Sequence, residues 1–280
     1  MNCVVKAVKR IDQIYCQMES VGDVNKLYYL FANTLGFPEA WPPIDRKTYY
    51  GGGVYTGNTW FKWVTDNTKK YEMTEKPAKF IELSAEPNGY ERSLKELERR
   101  GILVKYFGSS TLTDSSGQEQ EWGRGSGFTE SPFKEVGLFL YKYTPLAFSA
   151  LTTTPEARDL DEHYSTIRKS LDGVDGGPLG VRYVKEVELG VRDLERSKRG
   201  WQTLLDPIKL VGDVWRVDNG PALRLTRDKV DSIKSISFRV KSLRRAKRFL
   251  KMYGLLGEEK EGMLSMNRSK VNGLDIKFVK

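Results

Sequence analysis

Residues 11–37 read IDQIYCQMESVGDVNKLYYLFANTLGF. Over the first eight positions the side chains alternate: Ile14, Cys16 and Met18 fall on one side, Gln13, Tyr15 and Gln17 on the other. That period of two predicts a strand over Ile11–Met18, with an apolar face for packing and a polar face for a wet cleft. A polar turn follows. Apolar spacing near 3.6 then predicts a helix over Val24–Leu35, closed by Gly36 as a left-handed cap.

The same order recurs three times along the chain. Phe80–Ala85 and Tyr90–Arg100 precede Gly101, Val184–Val191 precedes Leu194–Leu205, and Ile233–Val240 and Leu243–Tyr253 precede Gly254. Strand-like segments follow each helix: YYGGGVYTG and TWFKWVTD after the first, ILVKYFGS, EQEWGRG and VGLFLYKYT after the second, VGDVWRVD and PALRLTRD after the third, GMLSMNRS and GLDIKFVK after the fourth. The unit is therefore a strand, a helix and two or three more strands, roughly 50–65 residues long. Pro145–Gly180 breaks the pattern with prolines, glycines and at most a short helix. It reads as a linker carrying a solvated His163. The expected division is a first domain at 1–144, a linker at 145–180 and a second domain at 181–280.

Composition narrows the function classes. The chain has 280 residues, enough for one large domain or two ordinary ones. Its two cysteines, Cys3 and Cys16, exclude a disulfide framework and multi-cysteine metal sites. A single histidine, His163, excludes any site needing two imidazoles from one chain and is all that a Ser-His-Asp triad could use. No apolar run reaches the ~18 residues of a membrane span. The opening MNCVVKAVKR lacks the apolar stretch of a secretory signal, so the expectation is a cytoplasmic protein without a membrane partner. Lys and Arg number 46 against 37 Asp and Glu, a net charge of +9 that favours anionic partners in general.

Residues 11–37, RYVKEVELGVRDLERSKRGWQTLL and IKSISFRVKSLRRAKRFLKMYGLLG together resemble the vicinal oxygen chelate superfamily, which includes glyoxalase I, bleomycin-resistance proteins and extradiol dioxygenases. FIELSAEPNGYERSLKELERRGI resembles it with interruptions at Pro87 and Gly89. The likeness spans residues 8–144 and 181–280. It implies an α+β fold of four βαβββ units paired into two glyoxalase-like domains, with curled mixed sheets around clefts and helices outside, as in the two-domain extradiol dioxygenases.

Members of that superfamily usually hold a divalent metal through a His or Gln on the first strand and a Glu on the last strand of each unit. Carried over, the first-strand positions are Gln13, Glu82, Glu186 and Ser235. The last-strand positions are Lys62, Tyr141, Arg224 and Lys277. An ammonium has no acceptor and repels a cation, so a metal at Gln13/Glu82 is disfavoured and no other cofactor is implied. The expectation is that Lys62 takes the place of the cation and pairs with Glu82. The alternative is that the two lie on a solvated sheet face and never meet. The expected cleft face of the first domain shows Gln13, Tyr15, Gln17, Trp60, Lys62, Glu82, Ser84, Tyr141 and Tyr143, with Trp60 the best stacking group. In the second domain a carboxylate facing an arginine and a lysine suggests an ion-pair cluster or an anion site.

Other signals are weaker. The glycines at 51–53 lie between strands and lack the phosphate-loop pattern, so they read as a bulge or tight bend. Ser109–Pro132 reads as a polar hairpin, either solvated or folded over the cleft with Trp122 and Arg124 near a ligand. Trp41, Trp60, Trp63, Trp201 and Trp215 read mainly as core. RRAKRFLK and ERSKR are basic helix faces that either bind phosphates or are simply solvated.

Three functions compete. The first is a metal-free small-molecule-binding protein with an anionic or aromatic ligand. The second is a lyase or isomerase in which Glu82 is the base, Lys62 stabilises an enolate-like charge and Tyr141 delivers a proton. The third is nucleic-acid binding through the exterior, disfavoured because no recognition motif is visible. Pairing of two copies into a homodimer is left open.

Overall fold

The computed structural model describes residues 5–46, 49–66, 76–113, 118–128, 137–147 and 157–280. Ten strands and helices build a first sheet: β1 (Val8–Gln17), α1 (Val21–Tyr29), β2 (Glu39–Asp45), β3 (Tyr50–Tyr55), β4 (Trp60–Thr65), β5 (Lys79–Pro87), α2 (Tyr90–Arg99), β6 (Val104–Thr113), β7 (Glu119–Phe128) and β8 (Gly137–Tyr143). Helix α3 (Leu160–Gly173) follows. The rest is β9 (Val181–Val191), α4 (Leu194–Leu205), β10 (Val214–Trp215), β11 (Ala222–Arg227), β12 (Ser232–Val240), α5 (Leu243–Met252), β13 (Leu256–Lys260), β14 (Met263–Met266) and β15 (Ile276–Val279).

The strands form two curled mixed sheets, in the orders β2-β3-β4-β1-β5-β8-β7-β6 and β10-β11-β9-β12-β15-β14-β13. In each, the first strands of two units lie side by side and antiparallel, β1 with β5 and β9 with β12. Each pairs on its other edge with the last strand of its own unit in parallel. The expected α+β architecture of repeated strand–helix–strand units is thus the observed one. Two short strands were not expected, β2 and β13; both are mostly exposed.

Local chemistry explains the elements. Ser20 caps α1 by accepting the Asp23 amide at 3.0 Å, and Asp159 caps α3 by accepting the Glu162 amide at 2.9 Å. Val24, Leu27 and Phe31 then share one face and enter the core beside Ile14, Phe61 and Trp63. The glycines at 51–53 sit inside β3, not at a bend. A Cβ at Gly51 would come within 2.8 Å of the Trp63 carbonyl, and one at Gly52 within 3.0 Å of Pro43, so they permit close packing of β2 across β3.

One irregularity recurs in every unit and positions the site. Ile11 pairs with Ala85 and Gln13 with Ser84, leaving Asp12 as an extra residue in β1. Ile81, Lys185 and Lys234 are extra in the same way in β5, β9 and β12. Each is a β-bulge. The flanking apolar residues, Ile11 with Ile14, Phe80 with Leu83, Val184 with Val187 and Ile233 with Ile236, all enter the core. Two consecutive residues between them turn away from it. Strict alternation places Phe80 with Glu82 on the cleft side and Ile81 with Leu83 in the core; the bulge reverses Phe80.

Of the segment expected as a linker with a solvated His163, residues 148–156 lie outside the described residues, and the rest carries a helix with a buried face. Leu160, His163, Tyr164, Ile167 and Leu171 of α3 are buried. Leu160, Tyr164 and Ile167 pack with Tyr55, Trp60, Tyr141 and Tyr143 of the first sheet. The spacing of i, i+3, i+4, i+7 and i+11 gives the helix an apolar stripe that needs a partner, and the inner face of the first sheet supplies it. Asp161 clamps the helix start to Lys9 at 2.6 Å and to Arg10. No helix among the described residues is long and apolar enough to cross a membrane.

Candidate functional site

The inner face of the first sheet is set by register. Gln13 pairs with Trp60 and Tyr15 with Lys62 across the parallel β1–β4 ladder. On the other edge Gln13 pairs with Ser84 and Tyr15 with Glu82. Ser84 in turn pairs with Phe139. Partners in register share a face, so the expected set is brought together, with three changes. Gln17 is exposed at the strand end. Arg124 lies on the opposite face, bonded to Glu121 at 2.8 Å and stacked at 5.9 Å over Tyr90 of α2. The third concerns the last-strand position of the second unit. Lys62 and Arg224 each stand opposite the residue two beyond the first-strand position, as does Lys277. The residue opposite Ser84 is Phe139, so Phe139 occupies that place and Tyr141 lies two residues further along the same face. Trp122 does reach the site, with its ring 5.8 Å from Tyr141 and 6.3 Å from Tyr143. Residues 114–117 and 129–132 of the expected hairpin lie outside the described residues.

At the centre is Lys62, with its side chain only 6% exposed. Its ammonium donates to Gln13 Oε1 and, at 3.2 Å, to the Tyr15 hydroxyl. Three rings surround it: Trp41 at 4.3 Å and Trp60 and Tyr15 at 4.8 Å to their centroids. Ring faces are negative and stabilise a desolvated cation. The Tyr15 hydroxyl also donates to Gln13 Oε1 at 2.5 Å, and Gln13 Nε2 reaches Asp12 Oδ2 at 3.5 Å.

The expected Lys62–Glu82 pair does not form. Glu82 leans across Gly137, where a Cβ would meet its Cγ at 2.4 Å. The acidic neighbour of Lys62 is Asp12, turned inward by the bulge and fully buried. Burial raises the Asp12 carboxyl to about 7, helped by the nearby Glu86, while Ser84, Lys62 and Arg10 pull it back. Burial lowers Lys62 well below the ordinary lysine value, and Asp12 opposes the fall. Asp12 was not foreseen, because alternation puts it on the apolar face with Ile14. The signal that finds it is the pair Ile11 and Ile14, three apart, in a strand.

His163 seats its ring between Tyr55 at 4.9 Å and Trp60 at 5.6 Å. Burial lowers it to about 3, so it is neutral at any ordinary pH. Tyr164 donates its hydroxyl to the Asp12 carbonyl at 2.9 Å. Helix α3 therefore covers the Asp12 end of the face. Towards the far edge the aromatic lining continues from Tyr15 to Phe139 at 5.7 Å and on to the exposed ring of Phe107 at 5.8 Å.

The second sheet presents the equivalent face with different chemistry. Arg224 Nε bonds Glu186 Oε1 at 2.8 Å, and Lys277 Nζ bonds Glu188 Oε2 at 3.0 Å. Ser235 and Thr226 donate to Glu188 at 2.8 and 3.2 Å. Burial pushes Glu188 up, but the bonds from Lys277 and Ser235 outweigh it and hold the carboxyl below its ordinary value. This is the ion-pair cluster expected there, and its charged side chains stay part-exposed, Arg224 at 41%.

The Lys62 amine already sits on the Gln13 side-chain oxygen, and the Lys277 amine on Glu188. Among the described residues no three His, Cys, Asp or Glu side chains converge as metal ligands.

No family model matches the sequence, and no curated protein matches it. Solved structures do. A variant of homoprotocatechuate 2,3-dioxygenase from Brevibacterium fuscum superposes with a TM-score of 0.64 over 100% of this chain and 73% of that one, at 7% identity. The fold is that of the extradiol dioxygenases. An extradiol ring-cleaving dioxygenase from the same organism matches at 0.62 with 8% identity over 100% and 74% of the two chains. The homoprotocatechuate enzyme in complex with 3,4-dihydroxyphenylacetate matches at 0.59 with 8% identity, over 100% and 82%. Within this extradiol-dioxygenase fold, Gln13 and Lys62 meet at the centre of the first inner face, and the second inner face is cross-linked by ion pairs.

Proposed function

We propose that the chain is a small-molecule-binding protein of the vicinal oxygen chelate superfamily that uses the Lys62 amine where relatives use a divalent cation. The observation that carries this reading is the seat of the ammonium, on Gln13 Oε1 and ringed by Trp41, Trp60 and Tyr15. A buried lysine amine beside an aromatic lining favours a planar ligand whose anionic group would hold that amine protonated, entering from the Phe107 edge opposite α3. Gln13, Tyr15, Trp60, Ser84, Trp122 and Tyr143 support it as lining groups.

Metal content and metal affinity test the proposal. Purified wild-type protein is expected to carry no stoichiometric metal and to show no thermal shift with manganese, zinc or nickel. Lys62→Glu places a carboxylate beside Gln13 and Asp12 and is expected to gain a saturable metal-induced rise in Tm. Near-stoichiometric metal in the wild type would defeat the reading.

One observation favours a second reading. Asp12, raised to about 7 and next to Lys62, is poised as a general base near neutral pH. A metal-independent lyase or isomerase would then use Asp12 in the role expected of Glu82, with Lys62 stabilising developing negative charge. Loss of turnover in Asp12→Asn but not in Glu82→Gln is the expected signature of that chemistry.

A further inference from the structure

The inner face of the second sheet holds a separate feature at the end nearest α3. A cavity of about 310 Å³ opens there, bounded by β9, β12, the turn before β11 and α3. Four cations line it: Arg168 of α3, Lys185 in the β9 bulge, Arg216 in the turn and Arg239 on β12. Asn58 holds the bulge in place by bonding both the Val184 amide and carbonyl at 3.0 Å. Arg239 stands opposite Tyr183 in register, so both project from the same side of the sheet.

These cations differ from those beside them. Arg224 and Lys277, on the same face, are each neutralised by a carboxylate. Arg168, Arg216 and Arg239 form no ion pair with a described residue, and Lys185 Nζ lies 3.5 Å from a main-chain oxygen of Lys280, the last residue. The acid in the lining, Asp218, is already held by Lys6. Four like charges around one cavity repel each other, and a bound anion relieves that repulsion. Three guanidinium forks match oxyanion geometry better than a single ammonium does. The volume is at the small end of ligand pockets, and too narrow for a nucleic-acid duplex.

We propose that this cavity is an anion site for a small molecule bearing a phosphate or diphosphate group. The site is distinct from the Lys62 face and does not depend on its reading. Calorimetric titration of the full chain with pyrophosphate at constant ionic strength tests it, with a single-stranded oligonucleotide as competitor. Saturable binding of one pyrophosphate per chain is expected. Arg216→Gln and Arg239→Gln, both at exposed positions, should each weaken it at least tenfold, whereas Arg248→Gln on the outer face of α5 should leave it unchanged. Absence of saturable binding overturns the proposal. So does an equal loss in Arg248→Gln, or displacement by the oligonucleotide that is itself weakened by Arg248→Gln, since either would place the phosphate contact on the outer surface.

Discussion

The two inner faces are built on one plan and finished in opposite ways. Both place a basic residue, Lys62 or Arg224, opposite the residue three beyond the bulged one. In the first sheet that cation is sealed from water under aromatic rings and its carboxylate partner is raised by burial. In the second the cation is 41% exposed and the nearby Glu188 carboxyl is held below its ordinary value. The difference is a helix. Helix α3 lays Leu160, Tyr164 and Ile167 on the first face and reaches the second sheet only at its margin, through Arg168 and the Asp172–Arg182 pair. A shared backbone geometry therefore does not set the electrostatics of a cleft; solvent exclusion does.

The largest test of that contrast is removal of each cation. Lys62→Met should cost about 3–5 kcal/mol at pH 8, because Asp12 is left buried and unpaired. The loss should shrink towards pH 5, where Asp12 protonates. Lys277→Met should cost no more than about 1 kcal/mol, since Glu188 keeps solvent and Ser235. Urea denaturation of both variants at the two pH values checks this, and equal losses would erase the distinction. Next, Ile167→Ala should cost about 2–4 kcal/mol through the cavity it leaves under α3, read in the same way.

The third test uses pH. His163 is held near 3 in the folded chain and titrates near its ordinary value when unfolded. Its burial thus favours folding above about pH 6.5, and that contribution is lost as pH falls towards 3. His163→Phe should remove on the order of 2 kcal/mol of the stability lost between pH 7 and 5. Asp12 runs the other way. Its raised carboxyl favours the folded state below about pH 4 and loses that contribution as pH rises through 7, so Asp12→Asn should remove the fall in Tm that Asp12 causes between about pH 4 and pH 7. The smallest effect is Arg224→Gln, whose part-exposed pair with Glu186 should be worth less than about 1 kcal/mol by chemical denaturation.

Much of the framework was legible. Helix α4 runs over the expected Leu194–Leu205, and the four first strands begin at or up to three residues before their expected starts. The juxtaposition of Gln13, Tyr15, Lys62 and Ser84 follows from alternation together with the strand pairing that the family resemblance implies. What alternation could not supply was Asp12, because a single inserted residue moves a side chain across the sheet. His163 was misread for a different reason. Its segment is bordered by glycines and prolines, but Leu160, His163, Tyr164, Ile167 and Leu171 already form a helical stripe. Such a stripe needs a surface to cover, and composition alone does not name it.

Periodicity by itself determined the repeated strand–helix–strand units and most of the apolar positions of the first strands, because these depend on neighbours within a few residues. Only the tertiary structure decided which carboxylate meets Lys62, which face α3 covers and where Arg168, Arg216 and Arg239 gather without an ion pair among the described residues. Those outcomes rest on residues up to about 150 positions apart, such as Tyr164 and Asp12. Whether water is excluded between them sets the strength of every charge in the site.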